Sequence, residues 1–308
     1  MKKKTKNAVI VIAVAIAVSV FLLDGLDIND RVANWFFDQM LTQEEKKRAI
    51  RPGSYRAFQQ PFQIGCVEAN LSGITFNPDT GTLFSITNNP EVIVELSLQG
   101  KCLRKIPLDG FTDTEAIAYL GGNEYAIAEE RQPTVSILGI GPGTRRIRKK
   151  ETLRSIAFEI ENEPNQGFEG IAYNPINDAL YVVTERSPIT LFRFDGLADR
   201  SQNHFNVKVS RNDEVILGRD IMHDYSGLHF DVTSGNLLCL SHEAKLVAEV
   251  SLTGEKYGFM ELEKGFAGLD RDILQAEGIT MDSHRVIYIV GEPNIFGVFA
   301  PESHLNQP

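Results

Sequence analysis

From about residue 70 onward the chain alternates short apolar runs with Gly, Asn, Asp and Pro punctuation. Five of these runs are Leu83–Ile86, Tyr125–Ala128, Leu180–Val183, Leu237–Leu240 and Ile287–Val290, and all but Leu237–Leu240 carry β-branched or aromatic residues. Runs of that length between turn signals predict strands rather than helices. Each is preceded by a segment with one recurring pattern: SGITFNP from Ser72, EAIAY from Glu115, EGIAYNP from Glu169, SGLHF from Ser226 and EGITM from Glu277. The small residues in second place (Gly73, Ala116, Gly170, Gly227, Gly278) recur at intervals of 43, 54, 57 and 51. A third alternating strand follows, as in VIVELSL from Val92 or LVAEVSL from Leu246, and a more variable fourth completes the first four units. Four short strands per unit at this period predict an all-β fold of β-propeller blades. No long helical pattern separates the strands, which disfavours a (β/α)₈ barrel.

The fifth unit ends near Ala300 after three strands, while Tyr55–Ile64 forms an orphan strand ahead of the first unit. The economical solution makes that strand the outer strand of the last blade, removing both open edges. The count is then five four-stranded blades. A sixth has room only in residues 195–220 and is the alternative.

The N-terminus follows another pattern. Lys2, Lys3, Lys4 and Lys6 precede Ala8–Leu23, 16 residues without a charge. As a helix at about 1.5 Å per residue the run spans roughly 24 Å, slightly short of a hydrocarbon core. No small-x-small cleavage site follows it, so an uncleaved signal anchor is favoured over a removed signal peptide. The lysines stay on the cytoplasmic side, which puts the rest of the chain across the membrane. Residues 31–50 read as a juxtamembrane helix, with Trp35 either at the lipid headgroups or on a stalk; Arg51-Pro52-Gly53-Ser54 breaks the pattern. The division is 1–24 lysines and anchor, 25–54 juxtamembrane helix and linker, and 55–308 propeller.

Composition adds exclusions. Of 308 residues 43% are hydrophobic and 23% charged, which suits a globular body rather than a disordered or polytopic membrane chain. Net charge is −10, and the first fifty residues hold more basic than acidic groups, so the excess of carboxylates lies in the body. An acidic body repels phosphate backbones, and no nucleic-acid partner is expected. Cys66, Cys102 and Cys239 form neither a CxxC nor a disulfide framework, which rules out structural zinc and a fold built on disulfides. His204, His223, His229 and His284 follow no pattern and read as surface or packing residues.

The repeat also locates the chemistry. First strands of propeller blades line the channel, and the turn after each second strand lies at its mouth. The residue ahead of each small position gives one column: Ser72, Glu115, Glu169, Ser226 and Glu277. The residue two past each second strand gives another: Asn88, Glu130, Glu185, His242 and Glu292. Blades two, three and five carry Glu in both. Six carboxylates converging on one axis repel one another unless a cation offsets them. A hard cation with oxygen ligands is the natural partner, so Ca²⁺ leads over Mg²⁺ and Zn²⁺. The competing reading is structural: each Glu caps backbone amides or pairs with Arg131 and Arg186, which directly follow two of them. Arg131, Arg186 and Lys245 are the basic residues expected near the mouth.

Residues 65–299 resemble the SdiA-regulated (YjiK, CarP-like) family, most closely in GFEGIAY from Gly167, LSHE from Leu240, QAEGITMD from Gln275, EPN from Glu292 and IPLD from Ile106. The resemblance implies a propeller with bound calcium at the inner membrane of a Gram-negative bacterium, facing the periplasm, with no established reaction. Two functions stand. One is a membrane-anchored Ca²⁺-binding module that senses a small ligand or scaffolds a periplasmic protein. The other is a Ca²⁺-dependent hydrolase of phosphoesters or lactones, similar to propeller phytases and gluconolactonase-type enzymes, with a free Glu as base.

The anchored topology is directly testable. Alkaline phosphatase fused after residue 60 should be active, and protease added to spheroplasts should degrade the propeller. An inactive fusion, or processed protein free in the periplasm, contradicts the anchor.

Overall fold

The computed structural model describes residues 28–158, 167–185, 189–197, 206–211 and 221–305. The expected anchor Ala8–Leu23 and Arg186 lie outside them. Among the described residues no helix is long and apolar enough to cross a membrane.

Five sheets make five blades around one axis. The first blade runs from the axis outward as Leu71–Asn77, Thr82–Asn88, Glu91–Leu96 and Cys102–Asp109, with a short parallel strand, Ile147–Arg148, added at its rim. The second comprises Thr114–Gly121, Glu124–Glu129, Thr134–Gly139 and Arg154–Ala157, and the third Phe168–Asn174, Ala179–Thr184, Leu191–Asp195 and Lys208–Arg211. The fourth is Gly227–Phe230, Leu237–Ser241, Leu246–Val250 and Lys256–Glu261. The fifth has Ala276–Met281, Ile287–Gly291 and Ile295–Pro301 from the C-terminal end, completed by strand β1, Tyr55–Gln63, which pairs antiparallel from Tyr55↔Pro301 to Gln63↔Ile295. The orphan strand therefore closes the ring as the alternation predicts. The described part of residues 195–220 supplies the outer strand of the third blade and no sixth sheet.

The core is divided among the seams between blades. Phe84, Ile86 and Ile93 of the first blade pack against Ile117, Tyr125 and Ile127 of the second. Leu83, Val94 and Leu96 meet Tyr288, Val290 and Phe296 across the seam between the last blade and the first. Each seam is a slab of buried aliphatic and aromatic side chains, so every blade depends on both neighbours.

The recurring small residues explain how the inner strands meet. A Cβ on Gly278 would stand 2.4 Å from the Ser72 carbonyl oxygen and 2.9 Å from the Ile74 nitrogen, both backbone atoms of the next blade. A side chain there forces the ring apart. The waist of the channel, lined by these small residues and the Ile or Leu that follows each, holds a void of only about 10 Å³. Beyond it the axis opens, at the face away from the glutamates, into a cavity of about 440 Å³ walled by Phe76, Tyr119, Tyr173, Phe230, Met281 and His229. Burial pushes the His229 imidazole down to about 4, so it is neutral at ordinary pH.

Two features depart from the sequence reading. Cys66 and Cys102 form a disulfide (Cα–Cα 6.1 Å) joining the segment that follows β1 to the outer strand of the first blade. The fold is not built on this bridge, but a count of three cysteines did not reveal it. Closing a loop of 36 residues stabilises by roughly 3–4 kcal/mol in the chain-entropy account. Residues 28–48 form two helices, α1 (Ile28–Met40) and α2 (Gln43–Arg48), that pack on the fourth blade instead of standing off as a stalk. Thr42 caps α2 in a capping box with Glu45.

A chain beginning at Gly65 should aggregate or unfold at low denaturant, because the fifth blade then presents the bare edge of Ile295–Pro301 and loses Tyr55 from its core. Equal urea midpoints for chains starting at Arg51 and at Gly65 would show that closure lies elsewhere.

Candidate functional site: a carboxylate-lined channel mouth

The glutamates reach the mouth through a local backbone device. The ladders between first and second strands shift register at Leu71/Ile74, Thr114/Ala116, Phe168/Gly170 and Ala276/Gly278. Each shift skips the residue of the first column: Ser72, Glu115, Glu169 and Glu277. A bulge of this kind bends the strand and re-aims the extra residue. The residue two earlier, Asn70, Asp113, Gly167 or Gln275, then uses its carbonyl to accept the amide of the second-column residue. The distances are 3.3 Å for Asn88, 2.9 Å for Glu130, 3.4 Å for Glu185 and 2.9 Å for Glu292. Asn70, Asp113 and Gln275 take positive φ (62°, 55° and 44°) to do so. The two columns co-vary along the sequence because this latch holds them side by side. In the fourth blade the ladder begins at Gly227↔Leu240, and the Ser226 amide donates to the Leu240 carbonyl at 3.0 Å.

The side chains also pair across blades. Asn88 Nδ2 of the first blade donates to Glu115 Oε1 of the second at 2.9 Å. His242 Nδ1 of the fourth blade lies 3.6 Å from Glu277 Oε1 of the fifth. Glu115 and Glu277 thus have a polar neighbour. Glu130 of the second blade meets another carboxylate instead: Glu130, Glu169 and Glu185 each offer an oxygen within 4.8 Å of the other two. Asp113, Glu115 and Glu130 form a second such triad, so Glu130 belongs to both. Ser72 Oγ lies 3.5 Å from the Asn70 carbonyl oxygen, and Ser226 Oγ donates to the Ala276 carbonyl at 2.6 Å, so the Ser226 hydroxyl serves the seam and not the mouth.

Two residues here were missed in the sequence reading. Asp113 completes the second triad, and Asp224, almost fully buried, raises the proton affinity of Glu277 from the fourth blade. Both stand two positions before a first-column residue, and that offset was the available signal. Two of the three expected basic residues lie among the described residues, and both pair with carboxylates outside the two columns. Arg131 Nε pairs with Asp113 Oδ2 at 2.7 Å, and Lys245 is held by Glu263 and Asp272 at 2.9 and 3.3 Å. The reading in which Arg131 neutralises Glu130 is therefore corrected: Arg131 takes the aspartate.

The electrostatic consequence follows. Desolvation and then the charges of Glu115, Glu130, Glu185 and Glu277 hold Glu169 well above the carboxylate range. Desolvation, then Glu115 and Asp113, pushes Glu130 up to about 7. Desolvation, then Glu292, pushes Glu277 up to about 8. Burial raises Glu115 as well, against the hydrogen bonds from Asn88 and Ser72. Crowded, poorly hydrated carboxylates bind protons or a metal ion.

A five-bladed propeller with a carboxylate-lined mouth is the class of protein that fold and site define. The chain belongs to the SdiA-regulated family, whose model matches residues 47–300. Among solved structures, the crystal structure of a nidogen/laminin complex overlaps 73% of this chain and 73% of its own at 13% identity and TM-score 0.45. A luciferin-regenerating enzyme overlaps 79% of this chain and 94% of its own at 11% identity and TM-score 0.47. Likeness at that level bears on neither activity nor substrate.

The raised affinities set a pH dependence. Glu130 and Glu277 bind protons more tightly folded than unfolded, so their contribution to stability is complete below the ordinary value of 4.5. It is lost as pH rises through about 7 and about 8. With chelator present, the urea midpoint should fall across that window, and Glu130→Gln should flatten the fall. A midpoint indifferent to pH would show the carboxylates to be already neutralised by partners.

Proposed function

We propose that this protein is a membrane-anchored, extracytoplasmic propeller that binds Ca²⁺ at the carboxylate mouth and acts as a sensing or scaffold module. The observation that carries the reading is the cluster of Glu130, Glu169 and Glu185, with oxygens within 4.8 Å of one another. The donor set fits a hard cation: acceptor-only carboxylates from two blades, with more from Glu115 and Asp113 beside them and from Glu277 and Glu292 across the axis. His242 is the one imidazole in the two columns, and no cysteine joins them, which weakens zinc. Carboxylates hung on separate blades suit the longer, more variable ligand distances of Ca²⁺ better than the tight octahedron of Mg²⁺. A bound dication would offset the charge of these carboxylates and return the raised glutamates to their ionised form.

The extracytoplasmic placement draws support from the Cys66–Cys102 bridge, since structural disulfides persist in oxidising compartments. It also draws on Ala8–Leu23 behind its lysines. The binding module is preferred to the hydrolase on charge. A phosphate-handling site surrounds its anion with Arg and Lys, and among the described residues Arg131 is the cation at the glutamates, already paired with Asp113. Screening the calcium-loaded chain against phytate, lactones and phosphodiesters separates the two.

A ligand bound only by the folded state stabilises it by RT ln(1 + [L]/Kd), roughly 2.7 kcal/mol at a hundredfold excess over Kd. Calcium should therefore raise the melting temperature and chelator should lower it, more strongly at pH 8 than at pH 5, where protons compete. Glu169→Gln keeps the side-chain shape and removes one charge. It should weaken the calcium shift while leaving the metal-free protein as stable as wild type or more so. No shift at millimolar calcium, or a full shift in Glu169→Gln, overturns the assignment.

A further inference from the structure

Helix α1 is fastened to the propeller by one face. Asn34 docks with both atoms of its amide: Nδ2 donates to the Phe259 carbonyl at 3.0 Å, and Oδ1 accepts from the Phe259 nitrogen at 2.9 Å. The Phe37 ring meets Phe259 edge-on at 6.4 Å. The fit is close, since a Cβ on Gly53 would stand 2.5 Å from Asn34 Cγ and one on Gly258 2.9 Å from Oδ1. Downstream, the buried Glu249 carboxylate accepts from the amides of Ile50 and Arg51 and from Asn236 Nδ2, all at 2.8–2.9 Å. The helix is thus a fixed extension of the fourth blade.

The other face carries Val32, Trp35, Phe36 and Met40, which are 48%, 56%, 59% and 80% exposed. At about 100° per residue this spacing forms one stripe, opposite the side that holds Asn34 and Phe37. Among the described residues ten large hydrophobic side chains are exposed, and four of them sit on this one helix of 13 residues. Singly exposed apolar residues are ordinary, but a contiguous stripe marks a contact surface.

We propose that this stripe rests in the interfacial layer of the bilayer and holds the propeller at a set attitude to the membrane. The inference rests on the anchored reading above. Leu23 ends the apolar run and Ile28 begins α1. The five links from Leu23 to Ile28 reach about 18 Å at most, so an anchored run keeps the helix beside the membrane surface. Trp is a residue of the headgroup region, and amphipathic helices bury their apolar side about 5–10 Å at the boundary with the acyl chains. Gln39 is the polar residue within the stripe, while Asp38 is turned to Lys46 at 3.0 Å. A stripe without charge inserts by its apolar area, so the contact should need no anionic lipid.

Trp35 is the single tryptophan of the chain and reports on this face directly. The full chain would be placed in nanodiscs of phosphatidylcholine, plain or brominated on the acyl chains. Brominated lipid should quench Trp35 emission about twofold or more, the emission should lie to the blue, and acrylamide should quench it slowly. The double variant Phe36→Asp/Met40→Asp should lose that lipid quenching with its melting temperature unchanged, because both side chains are mostly exposed and belong to none of the buried clusters. Co-fractionation with the discs but an acrylamide-accessible, lipid-insensitive Trp35 overturns the proposal and leaves the anchor standing. A Trp35 shielded from acrylamide yet insensitive to brominated lipid also overturns it, since a second copy or another protein then covers the stripe. A chain that does not co-fractionate at all defeats the anchor, and this inference with it.

Discussion

How closely five strands can approach one axis decides most of what this molecule is. Gly73, Ala116, Gly170, Gly227 and Gly278 let the backbones of neighbouring inner strands nearly touch, leaving a waist of about 10 Å³. That volume admits at most one water. A tight waist pulls the five seams into register and shuts one face of the axis from the other. It also compels whatever stands next to the small residues to share a narrow, poorly hydrated mouth. The carboxylates are crowded because the glycines are there.

A fold that forces like charges together needs a compensating gain elsewhere. Here the gain lies in the buried seams, where aliphatic and aromatic slabs hold each blade between its neighbours. The strain at the mouth is not shared equally. Glu115 accepts from Asn88, Glu277 has His242 close by, and Glu130, Glu169 and Glu185 bring their oxygens within 4.8 Å of one another. The ring is therefore five-fold in backbone but uneven at its mouth, and among the described residues the carboxylates crowd most closely between the second and third blades. A cation drawn to the axis is drawn to that side.

The segment leading into the propeller is tied down at two places by different chemistry. At the seam between the fifth blade and the first, β1 supplies the ladder and Cys66–Cys102 a covalent tie. At the fourth blade a buried carboxylate, Glu249, gathers the amides that lead in from α2, and Asn34 fastens α1. The Glu249 oxygens accept from three donors, which oppose the desolvation that still raises its proton affinity.

The repeat, its five units and the strand that closes the ring were legible in the sequence, because short strands of period two and a recurring small residue are written locally. The two columns of polar residues were legible for the same reason: in-register repeats put like positions at like heights on the axis. What joined the columns was not. The bulges that turn Glu115, Glu169 and Glu277 inward, and the carbonyl latch from Asn70, Asp113, Gly167 and Gln275, appear only when the strands pair. The disulfide likewise joins residues 36 apart that packing across the seam between the last blade and the first brings together, and Arg131 pairs with Asp113, eighteen positions away in the chain. The sequence by itself determined the repeat and the chemical types at each height. The tertiary structure alone decided which carboxylates meet, because that depends on distances between blades, and those are set by packing across the seams.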